Sequence, residues 1–205
     1  MGGQEWRDRV VLAITGASGV VYGYELLRSL VSAGKKVSLI TSENGSKLIS
    51  LELGLDLSHL ESIADRTYRN DEMDSDLASG STRFQAMVIA PCSMRTLGCI
   101  ASGISENLIC RVAEVCLKER RRLIVVPRET PLSLIHIENM RRLALSGGIV
   151  LPAMPAFYYK PKTVDEIVRY VVGKVLDQLG IDHELFPRWK GTRHRSVSYT
   201  HLRAH

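Results

Sequence analysis

The chain is poor in the residues that mark several common classes of function. Its four cysteines, Cys92, Cys99, Cys110 and Cys116, form neither a CxxC pair nor a zinc pattern with histidine. They are expected to be small buried thiols of a reducing cytoplasm, not disulfide partners or metal ligands. Aromatic residues make up only 6% of the chain. No apolar run approaches the ~20 residues of a membrane span, and Met1–Arg9 lacks the apolar core of a signal peptide. A cytoplasmic location without a membrane partner is therefore expected. Neither GxGxxG nor a GK[ST] ending occurs in the first glycine turn, which removes the fingerprints of dinucleotide and P-loop binding. No internal repeat or low-complexity tract is visible.

What remains is an ordinary soluble composition, 45% hydrophobic and 24% charged over 205 residues, enough for one α/β domain with a substantial core. The formal charge of +5 suits anionic ligands, but much of it sits in residues 192–205 (TRHRSVSYTHLRAH). That stretch is basic and without periodicity. It is expected to be a disordered or non-native tail rather than a nucleic-acid arm, which leaves residues 1–191 as a single domain.

Val10–Thr15 is a short continuous apolar run, suited to a strand covered on both faces. It runs into Gly16-Ala-Ser-Gly19, then into helical spacing over Val20–Ala33, a stop at Gly34 and a second strand, Lys36–Ile40. This order opens a doubly wound, Rossmann-like parallel sheet with helices on both faces. The glycine turn allows close backbone approach, and amides at the helix start, with the Ser18 hydroxyl, suit a phosphate; a purely structural tight turn would read the same way. Gly45–Leu53 is expected to be a short helix carrying Glu52, Asp56–Tyr68 a helical piece and a turn, and residues 69–84 a polar loop. Ala86–Ala90 is a third strand, ended by Pro91. Three loops dense in hydroxyls thus follow three strands and bring Ser18, Ser42, Ser93 and Thr96 to one edge of the sheet, where open α/β sheets bind ligands.

Asn107–Lys118 is an amphipathic helix with Arg111 and Lys118 on one face, roughly 10 Å apart along the axis. The pair suits an anion or a neighbouring subunit, and equally ordinary surface pairing with Glu114. Leu123–Val126 is a further strand. Thr130 is expected to cap the next helix, with Pro131 in its first position and no capping box. Arg128 and Glu129 lie between that strand and helix. Ile149–Leu151 leads into a proline-bracketed loop with Tyr158 and Tyr159, suited to a wall or lid for an apolar ligand. Thr163 caps a last helix, Val164–Leu179, which carries Lys174, and Phe186–Trp189 forms an aromatic anchor.

With these residues laid out, the chain resembles the flavin prenyltransferases of the UbiX type, in the wider flavoprotein family that includes peptidyl-cysteine decarboxylases. The likeness runs from Val10 to about Trp189. It is carried by TGASGVVYG (Thr15–Gly23), SLE (Ser50–Glu52), APCSMRTL (Ala90–Leu97), LKERR (Leu117–Arg121), VPRETPLSLIHIENM (Val126–Met140) and PAFYYKP (Pro155–Pro161).

The resemblance implies a flavoprotein-type fold and an FMN site formed by Gly16, Ala17, Ser18, Ser42, Ser93, Met94, Arg95, Thr96 and Arg128. It implies a second site, for dimethylallyl phosphate, in which Arg111, Lys118, Tyr158 and Lys174 hold the phosphate. Ser18, Glu52 and Glu129 would lie near the reacting atoms. Many relatives carry Arg where this chain has Lys174, so the charge is kept and the bidentate fork lost.

The implied reaction joins a prenyl unit to N5 and then C6 of reduced FMN, which acts as co-substrate, without a metal. The product would serve a UbiD-type aromatic-acid decarboxylase. A homododecamer is implied, with the phosphate site shared between subunits. An FMN-dependent decarboxylase of a cysteine-containing or aromatic acid substrate is the nearest alternative. Pro155 stands where cysteine decarboxylases usually carry Asn in a PAMNxxMW-like motif, which counts against it. A non-catalytic FMN-binding accessory subunit is the other.

Overall fold

The structure is a computed structural model that describes residues 5–189 and 191; the basic tail at 192–205 lies outside them. After a 3-10 turn (Glu5–Asp8), the chain alternates strands and helices. The strands are β1 (Arg9–Ile14), β2 (Lys36–Thr41), β3 (Arg66–Arg69), β4 (Ala86–Cys92), β5 (Arg122–Pro127) and β6 (Ile149–Val150). The helices are α1 (Val20–Ser32), α2 (Glu43–Leu48), α3 (Leu57–Ile63), α4 (Met94–Ala101), α5 (Leu108–Lys118), α6 (Leu134–Leu145) and α7 (Val164–Leu179). All strands are parallel, in the order β3-β2-β1-β4-β5-β6. The order reverses between β1 and β4, so the loops after those strands diverge and open a crevice at their carboxyl ends. The doubly wound α/β expectation therefore holds.

Alternation along the strands builds two cores. Val10, Leu12 and Ile14 face one side with Leu26, Leu27 and Leu30 of α1 and Val171, Val172 and Val175 of α7. Val11 and Ala13 face the other, with Leu97 of α4, Val112 and Cys116 of α5 and Leu143 of α6. No helix among the described residues is long and apolar enough to cross a membrane. Cys92, Cys110 and Cys116 are buried, as expected, whereas Cys99 is only half-buried; all four are free thiols.

Several local expectations are corrected. Arg66–Arg69 is the edge strand β3, not part of a helical piece, and β4 continues through Pro91 to Cys92, which is paired with Pro127. Met94–Thr96, read as part of a hydroxyl-rich loop, are the first turn of α4. Glu43–Leu48 begins α2 earlier than expected, and Ile49–Leu53 continues it as a π-helical turn. Thr130 does not cap α6. Ser133 does: its Oγ accepts from the His136 amide and its own amide donates to His136 Nδ1, a capping box made by histidine. The Thr130 amide donates instead to its neighbour Glu129. Ser133 brings both halves of a reciprocal cap with His136, whereas the Thr130 side chain has no such partner three residues on.

Candidate functional site at the carboxyl edge of the sheet

Three loops at the switch point are laced together by backbone hydrogen bonds and the Thr15 hydroxyl. The Ser42 amide donates to the Ile14 carbonyl at 3.0 Å. Thr15 Oγ1 donates to the Pro91 carbonyl at 2.8 Å and accepts from the Ser93 amide at 2.8 Å. Gly16 and Gly45 permit this closeness: a Cβ on Gly16 would lie 2.5 Å from Asn44 Cβ, and one on Gly45 2.6 Å from the Ile14 carbonyl. The first two loops therefore pack with no room for a side chain at either position.

Ser42 and Ser93 start α2 and α4 in the same way. Each side chain accepts from the third amide of its helix, Gly45 at 3.1 Å and Thr96 at 3.3 Å. The first two amides of each helix, those of Glu43 and Asn44 and of Met94 and Arg95, then have no intrahelical acceptor. Between these helix starts lies a cavity of about 210 Å³, lined by Gly16, Ser42, Asn44, Ser93, Arg95 and Thr96. Backbone donors, hydroxyls and one guanidinium around a small space supply donors suited to a phosphate monoester, while the Glu43 carboxylate on the same wall is paired with Lys47 at 2.6 Å. Ala17, Ser18 and Met94 belong to the same segments and Arg128 follows β5, but none of the four lines this cavity.

The start of α1 is not open. The Glu52 carboxylate accepts from the Gly19 amide at 2.8 Å and from the Val20 amide at 3.1 Å. The Gly19 and Val20 amides are thus already satisfied by a protein carboxylate, which neutralises that helix end. Glu52 and Ser18 are both exposed beside this contact.

Arg128 is half-buried, and its amide donates to the Cys92 carbonyl at 3.4 Å. Burial pushes the Tyr22 phenol up from its ordinary value, and the nearby Arg128 charge partly offsets this. Glu129 is exposed, and its carboxylate accepts from the Thr130 amide at 3.0 Å.

The four residues expected to hold a prenyl phosphate do not meet within one chain. Arg111 donates to the Ala78 carbonyl at 3.1 Å and to Glu114 at 2.9 Å, while Lys118 pairs with Glu119 at 2.7 Å rather than with Glu114. Both are on α5. Tyr158 donates to the Pro187 carbonyl at 2.8 Å, and Lys174 lies 3.5 Å from Asp177 on α7. Since α5 and α7 pack on opposite faces of the sheet, the two pairs are separated by its thickness. The loop tyrosines join an aromatic group: Tyr158 meets Tyr159, Tyr170 and Trp189 edge-on, and Tyr159 stacks on Tyr170.

Sequence reasoning missed the polar side of the cavity, where Asn44, Asn70, Asn107 and Glu106 also line the wall. Asn70 Oδ1 accepts from the Ile109 amide at 3.1 Å, which fixes the end of β3 against α5. Asn107 caps α5 through the Cys110 amide at 3.0 Å. An asparagine just before an amphipathic helix was the available signal. Glu106 is held by Arg95 at 3.0 Å, so its charge is offset at the cavity mouth.

The flavoprotein family pattern matches residues 3–176. The chain is 49% identical over 182 residues to a flavin prenyltransferase UbiX of Methanothermobacter thermautotrophicus, covering 89% of this chain and 95% of that one. Among solved structures it is similar to AnUbiX (PadA1) in complex with FMN and dimethylallyl pyrophosphate, with a TM-score of 0.88 and 38% identity over 90% of this chain and 98% of that one. It is equally similar in fold, TM-score 0.88, to a dodecameric FMN-dependent UbiX-like decarboxylase from Escherichia coli O157:H7. That match has 40% identity and covers 89% of this chain and all of the other.

Proposed function

The chain belongs to the flavin prenyltransferases of the UbiX type, within the flavoprotein family, and we propose that it joins a dimethylallyl group from dimethylallyl phosphate to N5 and C6 of reduced FMN. The observation that carries this reading is the serine-capped pair of helix starts around the 210 Å³ cavity at the switch point. Its donor set fits the phosphate of FMN. Gly16, Ser42 and Ser93 to Thr96 would hold that end, with Arg128 supplying a further cation from the β5 loop. The cavity is smaller than the roughly 300–1,000 Å³ of typical small-molecule sites, so the rest of the cofactor needs walls beyond it. Neighbouring subunits would provide them.

Reduced FMN, as co-substrate, supplies the two ring positions that become bonded to the prenyl carbons. The chain's own residues provide the rest. Arg111, Lys118, Lys174 and the Tyr158 hydroxyl stabilise the departing phosphate, so that the allylic carbon–oxygen bond can ionise. Because α5 and α7 lie on opposite faces of the sheet, this requires residues from more than one subunit, which supports a dodecameric assembly. The tyrosines around Tyr158 shelter a developing allyl cation from water. Glu129 handles a proton near N5, and Glu52 and Ser18 stand where a second proton route would run. The product would pass to a UbiD-type decarboxylase.

The deciding experiment incubates purified protein with reduced FMN and dimethylallyl phosphate, and in parallel with the diphosphate, followed by mass spectrometry of the flavin. The expected product, from either phosphate ester, is a flavin heavier by one prenyl unit. Unchanged FMN in both reactions, with flavin bound and the assembly intact, would remove the prenyltransferase reading.

A further inference from the structure

Asp177 faces three potential donors at once. Arg188 contributes Nη1 and Nη2, each at 2.7 Å, His183 Nε2 lies at 3.1 Å, and Lys174 Nζ lies at 3.5 Å. The His183 ring is nearly buried, and its Nδ1 accepts from the Leu185 amide at 3.2 Å. Nε2 lies 3.1 Å from both Asp177 Oδ1 and Arg188 Nη2, and with Nδ1 as acceptor the neutral ring carries its proton on Nε2, directed at Asp177. The segment bearing His183 and Arg188 is seated on α7 immediately beside Lys174: a Cβ on Gly173 would lie 2.6 Å from both the His183 and Phe186 rings. Tyr158 holds the same segment through Pro187.

We propose that Arg188, supported by His183, is a positioning residue of the prenyl-phosphate site. It claims the Asp177 carboxylate and so leaves the Lys174 charge available to the substrate. This rests on the reading that Lys174 binds the prenyl phosphate.

The competition is decided by geometry. A guanidinium matches a carboxylate with two parallel bonds, and both are short here. The ammonium at 3.5 Å is at the outer limit of a hydrogen bond. With His183 neutral, Lys174, Arg188 and Asp177 sum to one positive charge, and Lys174 carries the uncommitted share. Without Arg188, Asp177 becomes the counterion of Lys174, and an incoming phosphate must displace a carboxylate. Lysine makes this arrangement necessary, because its single flexible ammonium has no fork with which to serve two anions.

The test measures steady-state kinetics of the assembled enzyme with dimethylallyl phosphate, alongside FMN affinity. Arg188→Ala is expected to raise KM for the prenyl phosphate about tenfold, the scale of one charge-assisted contact, with FMN affinity unchanged. Arg188→Lys should recover part of the loss. Adding Asp177→Asn to Arg188→Ala should restore KM toward wild type, because the competing carboxylate is gone. A merely structural clasp gives the opposite result, since the double variant has lost both halves of the pair.

Should Arg188→Ala fail to assemble, Asp177→Asn alone decides: KM at or below the wild-type value supports the proposal, and a raised KM overturns it. Lys174→Ala separates the two readings. If it leaves KM unchanged, the assignment of Lys174 to phosphate fails. If it raises KM while Arg188→Ala does not, positioning by Arg188 fails.

Discussion

The Glu52 carboxylate closes the start of α1 through the Gly19 amide, 33 residues away in sequence, at 2.8 Å. The contact gives one acid two functions. It completes the glycine turn that carries Ser18, and it leaves an exposed carboxylate beside Ser18, where the proposed mechanism uses an acid.

The two functions separate by substitution. Glu52→Ala loses the acceptor for two amides and should cost about 1 kcal/mol, as loss of a helix cap does, or about 2–4 °C in Tm for a chain of this size. Glu52→Gln keeps a carbonyl acceptor, so it should melt close to wild type while losing the charge. If Glu52 also handles a proton, Glu52→Gln slows prenyl transfer although the fold is intact. Equal turnover in Glu52→Gln and wild type would confine Glu52 to capping.

Glu129 has no comparable structural burden, since it is exposed and, among the described residues, its side chain bonds the adjacent Thr130 amide alone. Glu129→Gln should therefore leave flavin affinity and Tm unchanged and reduce turnover at saturating prenyl phosphate. Unchanged turnover would take this acid out of the mechanism.

Ser93 offers a test of the phosphate cavity itself. Its hydroxyl caps α4 and bonds Thr96 Oγ1 at 3.1 Å, so Ser93→Ala loosens the helix start that lines the cavity. FMN affinity should fall about tenfold, a loss of roughly 1.4 kcal/mol. Riboflavin, which lacks the phosphate, should bind wild type and variant equally in the same titration. A parallel loss for both ligands would place the phosphate elsewhere.

The parts of this site that could be read from sequence are those in which a short segment carries its own signal. VVLAIT and AMVIA are continuous apolar runs because their strands are covered on both faces, and the hydroxyls that follow them are adjacent in the chain. β3 was missed for the opposite reason: RTYR is an edge strand with mostly exposed side chains, so it carries little apolar pattern. α4 starts inside a hydroxyl-rich loop and spans only 8 residues, too few for a strong helical period. Asn44, Asn70 and Asn107 come together from three separate segments, and Glu52 reaches α1 across the sheet edge. Such contacts depend on the tertiary fold, and no local period encodes them. The same holds for the placement of Arg111 and Lys174 on helices packed on opposite faces of the sheet.

Thiol chemistry should distinguish the four cysteines cleanly. Burial pushes the Cys110 and Cys116 thiols up to about 12 and raises Cys92 further, so none forms thiolate at neutral pH. Cys99 is also raised by burial and by Glu106, but it is only half-buried and lines the cavity. With a thiol reagent at pH 8, one slow thiol per native chain and four after denaturation are expected. FMN should protect the native one.

Stability at low pH should depend on Asp177. The Arg188 guanidinium, and to a lesser degree His183, hold its carboxyl below the ordinary value of 3.8. Its folded value is thus lower than its unfolded one. The stabilising contribution is fully present above the unfolded value and fades as pH falls through the folded one. Asp177→Asn removes this group. Its Tm should therefore lie below wild type by a constant few degrees, about 3 °C for roughly 1 kcal/mol, between pH 5 and pH 7. The gap should narrow below about pH 4. Thermal melts of both proteins across that range provide the check, and a gap that widened on acidification would show that Asp177 is not held in its charged form by Arg188.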